Sequence, residues 1–188
     1  MTAETSSPEP STPATPEPST PAPPVAALLE ELARRGLTVA VAESLTGGLL
    51  VAALIAPAGA SRVVRGGIVA YDTALKHSLL GVDAATLAAH GAVHPDVARS
   101  MALGVRERLA VAGVPASIGL ATTGVAGPDP QDGQPVGTAY VALAVGDHVT
   151  VRTLALSGTR DAIRRAVVSE SLEMLTESIA LTDSHPRG

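Results

Sequence analysis

The sequence predicts an α/β fold in which a mixed sheet is covered by helices on both faces. Three observations point to it. Short apolar runs of strand composition alternate with stretches of helical spacing, and glycine or proline punctuates most junctions. Late in the chain GTAYVALAVG is followed by HVTVRTLAL, turned at Gly146-Asp147, which reads as a hairpin. The alternation calls for parallel strands joined by helical crossovers, and the hairpin adds an antiparallel arm.

The elements follow in order. Residues Met1 to Pro24 alternate Pro with Ser, Thr, Ala and Glu and offer almost no large side chain to bury, so 1–24 is expected to be a disordered tail. From Val25, VAALLEELARRG carries apolar residues at helical spacing and ends on Gly36, which suits the left-handed position past a helix. LTVAVAES reads as a buried strand, and Thr46 to Ala56 as a helix closed by Pro57 and Gly59. RVVRGGIVAY is a second strand whose glycines suggest a bulge. Thr73 to Leu80 and Asp83 to His90 read as short helices, and His94 to Ala112 as a longer one opening at Pro95. ASIGLATTG is a third strand, the hairpin follows, and Thr159 to Ile179 closes the domain as a helix. The folded unit is therefore expected over 25–180, with a flexible end over 181–188.

Composition narrows the chemistry. A chain of 188 residues has room for one domain of ordinary size. Its net charge of −5 is mild, so neither nucleic acid nor an acidic membrane surface is expected as a partner. There is no cysteine, which excludes disulfide scaffolding, thiol catalysis and cysteine-ligated zinc; a nucleophile must be an oxygen or an amine. The longest apolar stretch, around Leu49 to Ala60, contains Pro57 and is too short to span a bilayer, and no leading signal segment is evident, so the expected location is cytoplasmic.

In sheets of this kind ligands collect where strands end and helices begin. Three loops fit. In the first, Ala42-Glu43-Ser44-Leu45-Thr46-Gly47-Gly48, a strand ends on a hydroxyl ahead of small residues, and the amides of Thr46, Gly47 and Gly48 are placed to hold a phosphate or an oxyanion. A hydroxyl in that position more commonly just caps the helix, so spacing alone favours a cap for Ser44. The stretch fits neither a nucleophile elbow nor a P-loop. The second loop delivers Tyr71 and then Lys76, the only lysine beside twelve arginines. Arginine cannot give up its proton in a protein, whereas a desolvated lysine can be neutral and act as a base; a surface lysine is an equally good reading of the residue alone. The third loop, Thr122-Thr123-Gly124-Val125-Ala126-Gly127-Pro128, carries glycines that let backbone approach a ligand, or simply make a turn. The polar PDPQDGQ after it reads as a flexible excursion.

Other candidates are weaker. His90 and His94 have a metal-like spacing, but Gly91 and Pro95 break any shared helical face, and no metal site is expected. Arg160, Arg164 and Arg165 open the last helix, where arginines at such spacing usually form a solvated face.

Taken together, AESLTGGLL, RGGIVAYDTALKHSLLGV, HGAVHPDVA, TTGVAGPDPQDGQPVGTAYVAL and SGTRDAIRRAV resemble, in order, the blocks of the CinA C-terminal domain family, from about Val25 to about Ile179. That family includes stand-alone nicotinamide mononucleotide deamidases of the PncC type. The resemblance implies a three-layer α/β/α sandwich, usually assembled as a homo-oligomer. It implies hydrolysis of nicotinamide mononucleotide to nicotinate mononucleotide and ammonia, with a small-molecule nucleotide as the partner and no cofactor. It further implies Ser44 as nucleophile and Lys76 as base, with Tyr71, Thr123 and Arg160 around the site; Tyr71 is a candidate acid, and Thr46, Gly47, Gly48, Thr123, Gly124, Gly127 and Arg160 are candidate substrate-binding residues. Leu45 stands where the family often has Cys. Asp72-Thr73-Ala74-Leu75 replaces the usual Ser-Asn-Glu-Ala, and Gly158-Thr159-Arg160 the usual Gly-Asp-Arg; these changes bear on substrate preference. The tail is too short and simple to be the pyrophosphatase domain that precedes this unit in longer CinA proteins, so that activity is expected to be absent. A nucleotide-binding or regulatory module without turnover is the alternative.

Overall fold

A computed structural model describes residues 25–183, with side chains through Ala180, so the expected tail over 1–24 lies outside the described residues. Strands β1 (Val39–Glu43), β2 (Val64–Val69), β3 (Ile118–Gly124), β4 (Thr138–Val145) and β5 (His148–Ala155) form one sheet in the order β2-β1-β3-β4-β5. β1 is parallel to both β2 and β3, while β4 and β5 are antiparallel to their neighbours. The sheet is mixed, as expected, and the three parallel strands all end at the same edge.

Helices α1 (Val25–Arg34), α2 (Leu49–Ile55) and α6 (Arg160–Asp183) cover one face; α3 (Thr73–Leu80), α4 (Ala84–His90) and α5 (Pro95–Arg108) lie on the other. Alternation along β1 explains the two cores. Val39 and Val41 point to Leu32, Leu50, Leu54 and Leu175 on the first face, whereas Ala40 and Ala42 point to Met101, Ala102 and Val105 of α5 on the second. The second core is made of small residues, so α5 sits close. A Cβ on Gly119 of β3 would fall 1.9 Å from the carbonyl oxygen of Ala102, and one on Gly104 of α5 would fall 1.8 Å from that of Leu80. These two glycines bring α5 onto the sheet and the end of α3 onto α5.

Element boundaries depart from the expectations where backbone geometry intervenes. α2 starts at Leu49 rather than Thr46, because Gly47 and Gly48 take left-handed φ of 59° and 98° and form a turn. α5 stops at Arg108 rather than Ala112, and a short Val111–Val114 bridge takes over with Ala112 at φ 52°. α6 begins at Arg160 and continues past Ile179 to Asp183, so the expected flexible end opens with helix over 181–183; 184–188 lie outside the described residues. The bulge expected in β2 is present: the register to β1 slips between Val39 and Ala40, beside Gly66 at φ 143°. Among the described residues no helix is long and apolar enough to cross a membrane.

Candidate active site

The site forms where β1, β2 and β3 end. Ser44 extends β1 by one residue, its amide donating to the Thr122 carbonyl at 3.0 Å, and the Ala70 amide past β2 donates to the Glu43 carbonyl at 2.8 Å. Backbone pairing therefore places Ser44 and Ala70 side by side. Asp72 then caps α3 by accepting from the Ala74 amide, and Gly81 closes it in the left-handed conformation. One turn into α3, the Lys76 side chain points back under the sheet edge. Its Nζ donates to Ser44 Oγ at 3.0 Å and to the Ala70 carbonyl at 2.8 Å.

Both residues are enclosed: Lys76 is 1% exposed and Ser44 8%. Burial disfavours the ammonium and pulls the Lys76 pKa down to about 8, against the attraction of Asp72 and Asp132. A lysine in contact with a serine hydroxyl, and able to lose its proton near neutral pH, is the arrangement that base-assisted attack by a serine requires.

Above the pair lies a cavity of about 180 Å³, bordered by Ser44, Tyr71, Gly124, Gly127 and Arg160 among the expected residues. Arg160 bridges its rim, donating to the Gly127 carbonyl and, at 2.9 Å, to Tyr71 Oη. The remaining expected residues sit elsewhere. Thr123 is buried and donates to the Ala92 carbonyl at 2.7 Å, so it holds the wall rather than lining the cavity. Thr46 is fully buried, its hydroxyl 2.8 Å from that of Thr122.

The amides of Gly47 and Gly48 require a correction. Expected to be open to an anion, they are already taken: Gly47 donates to the Ser44 carbonyl, and Gly48, Leu50 and Val51 all donate to the side chain of Glu43 at 2.8–3.1 Å. An internal acid occupies the helix N-terminus that a ligand anion would need. In the 44–48 turn only the amides of Leu45 and Thr46 have no acceptor among the described residues.

Glu43, Asp129, Gln131, Asp132 and the inward role of Arg164 were not anticipated. A carboxylic acid inside an apolar strand is the signal for Glu43, since a buried acid needs donors and the turn supplies three. Asp129 and Gln131 border the cavity from the excursion after β3, which Asp132 pins by accepting from the Ala92 amide at 2.8 Å. Arg165 pairs with Asp161 as a solvated arginine should, but Arg164 turns inward to the Leu45 and Thr46 carbonyls, contrary to the solvated face expected of it. His90 and His94 stack at 4.2 Å, and His94 caps α5; no cluster of three or more His, Cys, Asp or Glu suited to a metal occurs among the described residues.

The family model for the CinA C-terminal domain matches residues 23–179. The chain belongs to this family. A CinA-like protein of Frankia casuarinae is 49% identical over 149 residues, covering 79% of this chain and 33% of its own length. A putative competence-damage inducible protein of Geobacillus kaustophilus is 48% identical over 153 residues, covering 81% and 36%. The chain thus spans about a third of the length of these CinA relatives. Among solved structures, the competence/damage inducible protein CihA of Agrobacterium tumefaciens superposes with a TM-score of 0.75 at 35% identity, covering 81% of this chain and 92% of that one. A CinA superfamily protein of Enterobacter cloacae gives 0.79 at 28% identity, covering 91% and 99%. The α/β fold is that of the CinA superfamily.

Proposed function

We propose that this chain is an amidohydrolase that converts nicotinamide mononucleotide and water to nicotinate mononucleotide and ammonia. The observation that carries the reading is the buried contact between Lys76 Nζ and Ser44 Oγ at 3.0 Å, with the lysine pKa lowered to about 8. The choice of substrate is supported by the ordered sequence blocks that resemble the CinA C-terminal domain family, which includes such deamidases.

In the active form Lys76 is neutral and takes the Ser44 proton as Ser44 Oγ bonds to the carboxamide carbon. The carbonyl electrons move onto oxygen, facing the Leu45 amide at the cavity wall. Such a donor contributes about 3 kcal/mol to lowering the barrier. Collapse of the tetrahedral intermediate breaks the C–N bond; the ammonium of Lys76 gives its proton to the departing nitrogen, directly or relayed through Tyr71, and ammonia leaves with Lys76 neutral again. Tyr71 can do this because its hydroxyl accepts from Arg160 and keeps its own proton for donation. Water, deprotonated by Lys76, then cleaves the acyl-serine to the carboxylate and restores Ser44. Arg160, at the rim, retains N–H groups for the 5′-phosphate.

The test is ammonia release from nicotinamide mononucleotide by the purified chain, with Ser44→Ala in parallel. Release that vanishes in the variant supports substrate and nucleophile together. Nucleotide binding without release would point instead to a binding module, and a folded chain that neither binds nor hydrolyses the nucleotide would rule this substrate out.

A further inference from the structure

The Ser44 turn is held from outside the cavity by a residue of α6. Arg164, half-buried, donates from Nε to the Leu45 carbonyl and from Nη2 to the Thr46 carbonyl, both at 2.9 Å. It does not border the cavity, and its hydrogen bonds go to neither Ser44 Oγ nor Lys76. Yet its two bonds set the direction of the two amides in this turn that have no acceptor among the described residues.

The reason is peptide planarity. A trans peptide holds its N–H antiparallel to its C=O, so fixing one fixes the other. Clamping the Leu45 carbonyl toward α6 turns the Thr46 N–H away from α6. Clamping the Thr46 carbonyl fixes the Gly47 N–H, which donates to the Ser44 carbonyl at 3.1 Å; that carbonyl belongs to the same peptide unit as the Leu45 N–H. The planar guanidinium suits the task because two of its donors diverge at a fixed angle onto successive carbonyls, which an ammonium cannot reproduce. Room has been left for it as well: a Cβ on Gly47 would lie 3.3 Å from Arg164 Nη2, at a φ of 59° where a side chain is already strained.

We infer that Arg164 is a positioning residue that, by holding the Leu45 and Thr46 carbonyls, aims the Leu45 amide at the cavity wall toward the oxyanion formed when Ser44 attacks. This rests on the Ser44–Lys76 reading above but not on the identity of the substrate. The experiment therefore follows phosphonylation of Ser44 by a fluorophosphonate, whose phosphoryl oxygen needs the same donor, across pH in the wild type, Arg164→Met and Arg164→Lys. Ammonia release is measured alongside, and thermal melts verify folding.

The expected result is a labelling rate lowered about tenfold or more in Arg164→Met, with a smaller loss in Arg164→Lys, and a pH midpoint still set by Lys76. In ammonia release kcat should fall with KM nearly unchanged. If Arg164→Met does not fold, the Lys variant carries the comparison. Equal labelling rates in the folded variants overturn the inference, and so does a loss that moves the pH midpoint, which would mean Arg164 acts through Lys76. A wild type labelled at Ser44 but releasing no ammonia refutes the substrate alone. A folded wild type that resists labelling refutes the nucleophile and this inference together.

Discussion

On one side of the cavity, the turn from Glu43 to Val51 is fixed by internal bonds: Glu43 receives three amides, Thr46 meets Thr122, and Arg164 holds two carbonyls. On the other side, residues 128–133 are exposed, tied by a Gln131–Gln134 bridge and the bond from Asp132 to the Ala92 amide. The Asp129 side chain there has no hydrogen-bond or ion-pair partner among the described residues. The first wall keeps Ser44 and Lys76 in contact where water has little access, so nearly every change there should cost stability. The second exposes polar groups on few contacts, so it can be altered with little effect on folding. Under the proposed function, rigid chemistry faces adaptable recognition.

That contrast can be broken at its strongest point first. Ser44→Ala and Lys76→Arg should each lower ammonia release by on the order of a thousandfold or more without unfolding the chain, since arginine keeps the charge but cannot serve as the base. Full activity in Lys76→Arg would remove lysine from the mechanism. Next, Glu43→Ala leaves one buried and two half-buried amides without an acceptor and should cost about 3 kcal/mol in urea unfolding. A loss under about 1 kcal/mol would show that water replaces the acid readily and that the wall is less closed than it looks.

Lys76→Met sharpens the comparison through pH. The folded lysine has a pKa near 8 against 10.5 as its ordinary value, so between those values the unfolded chain binds the extra proton and stability rises with pH. Below pH 8 the buried ammonium is a burden of about 3 kcal/mol, offset in part by its two hydrogen bonds. The methionine variant should therefore be inactive but more stable than the wild type by about 1–2 kcal/mol below pH 8, with the advantage fading as pH rises toward 10.5. Melts of both proteins across that range would check it, and a gap independent of pH would contradict the lowered pKa. For the wild-type protein acting as proposed, kcat/KM should rise through a midpoint near 8 as the base form appears.

The smallest effect is expected on the adaptable wall. Asp132→Gly removes the bond to the Ala92 amide while tolerating the left-handed φ of 50° at that position. It should change stability by less than about 1 kcal/mol yet raise KM about threefold or more, by loosening the segment that carries Asp129 and Gln131. An unfolding cost as large as that of Glu43→Ala would erase the distinction between the walls.

The layout of strands and helices was readable because each element carries its own period and its own stop. α3 was bounded correctly from Thr73 to Leu80 because Asp72 and Gly81 cap it. The start of α2 was not, since the Gly47-Gly48 turn owes its shape to Glu43 and Arg164, which come from before it and from far along the chain. The meeting of Ser44 with Lys76 could be suspected from residue types but not seen. It depends on the parallel pairing of β1 with β2, and local periodicity carries no record of which strands pair. Arg164 illustrates the same limit: beside Arg160 and Arg165 it looks like a third surface arginine, and only the docking of α6 distinguishes it.

Because Arg160 and Arg164 lie in the first turns of α6, both clasps across the site come from the last stretch of the domain to be synthesised. The turn that carries Ser44 thus completes its hydrogen bonds only when α6 docks, so under the proposed mechanism the last step of assembly is also the step that arms the site.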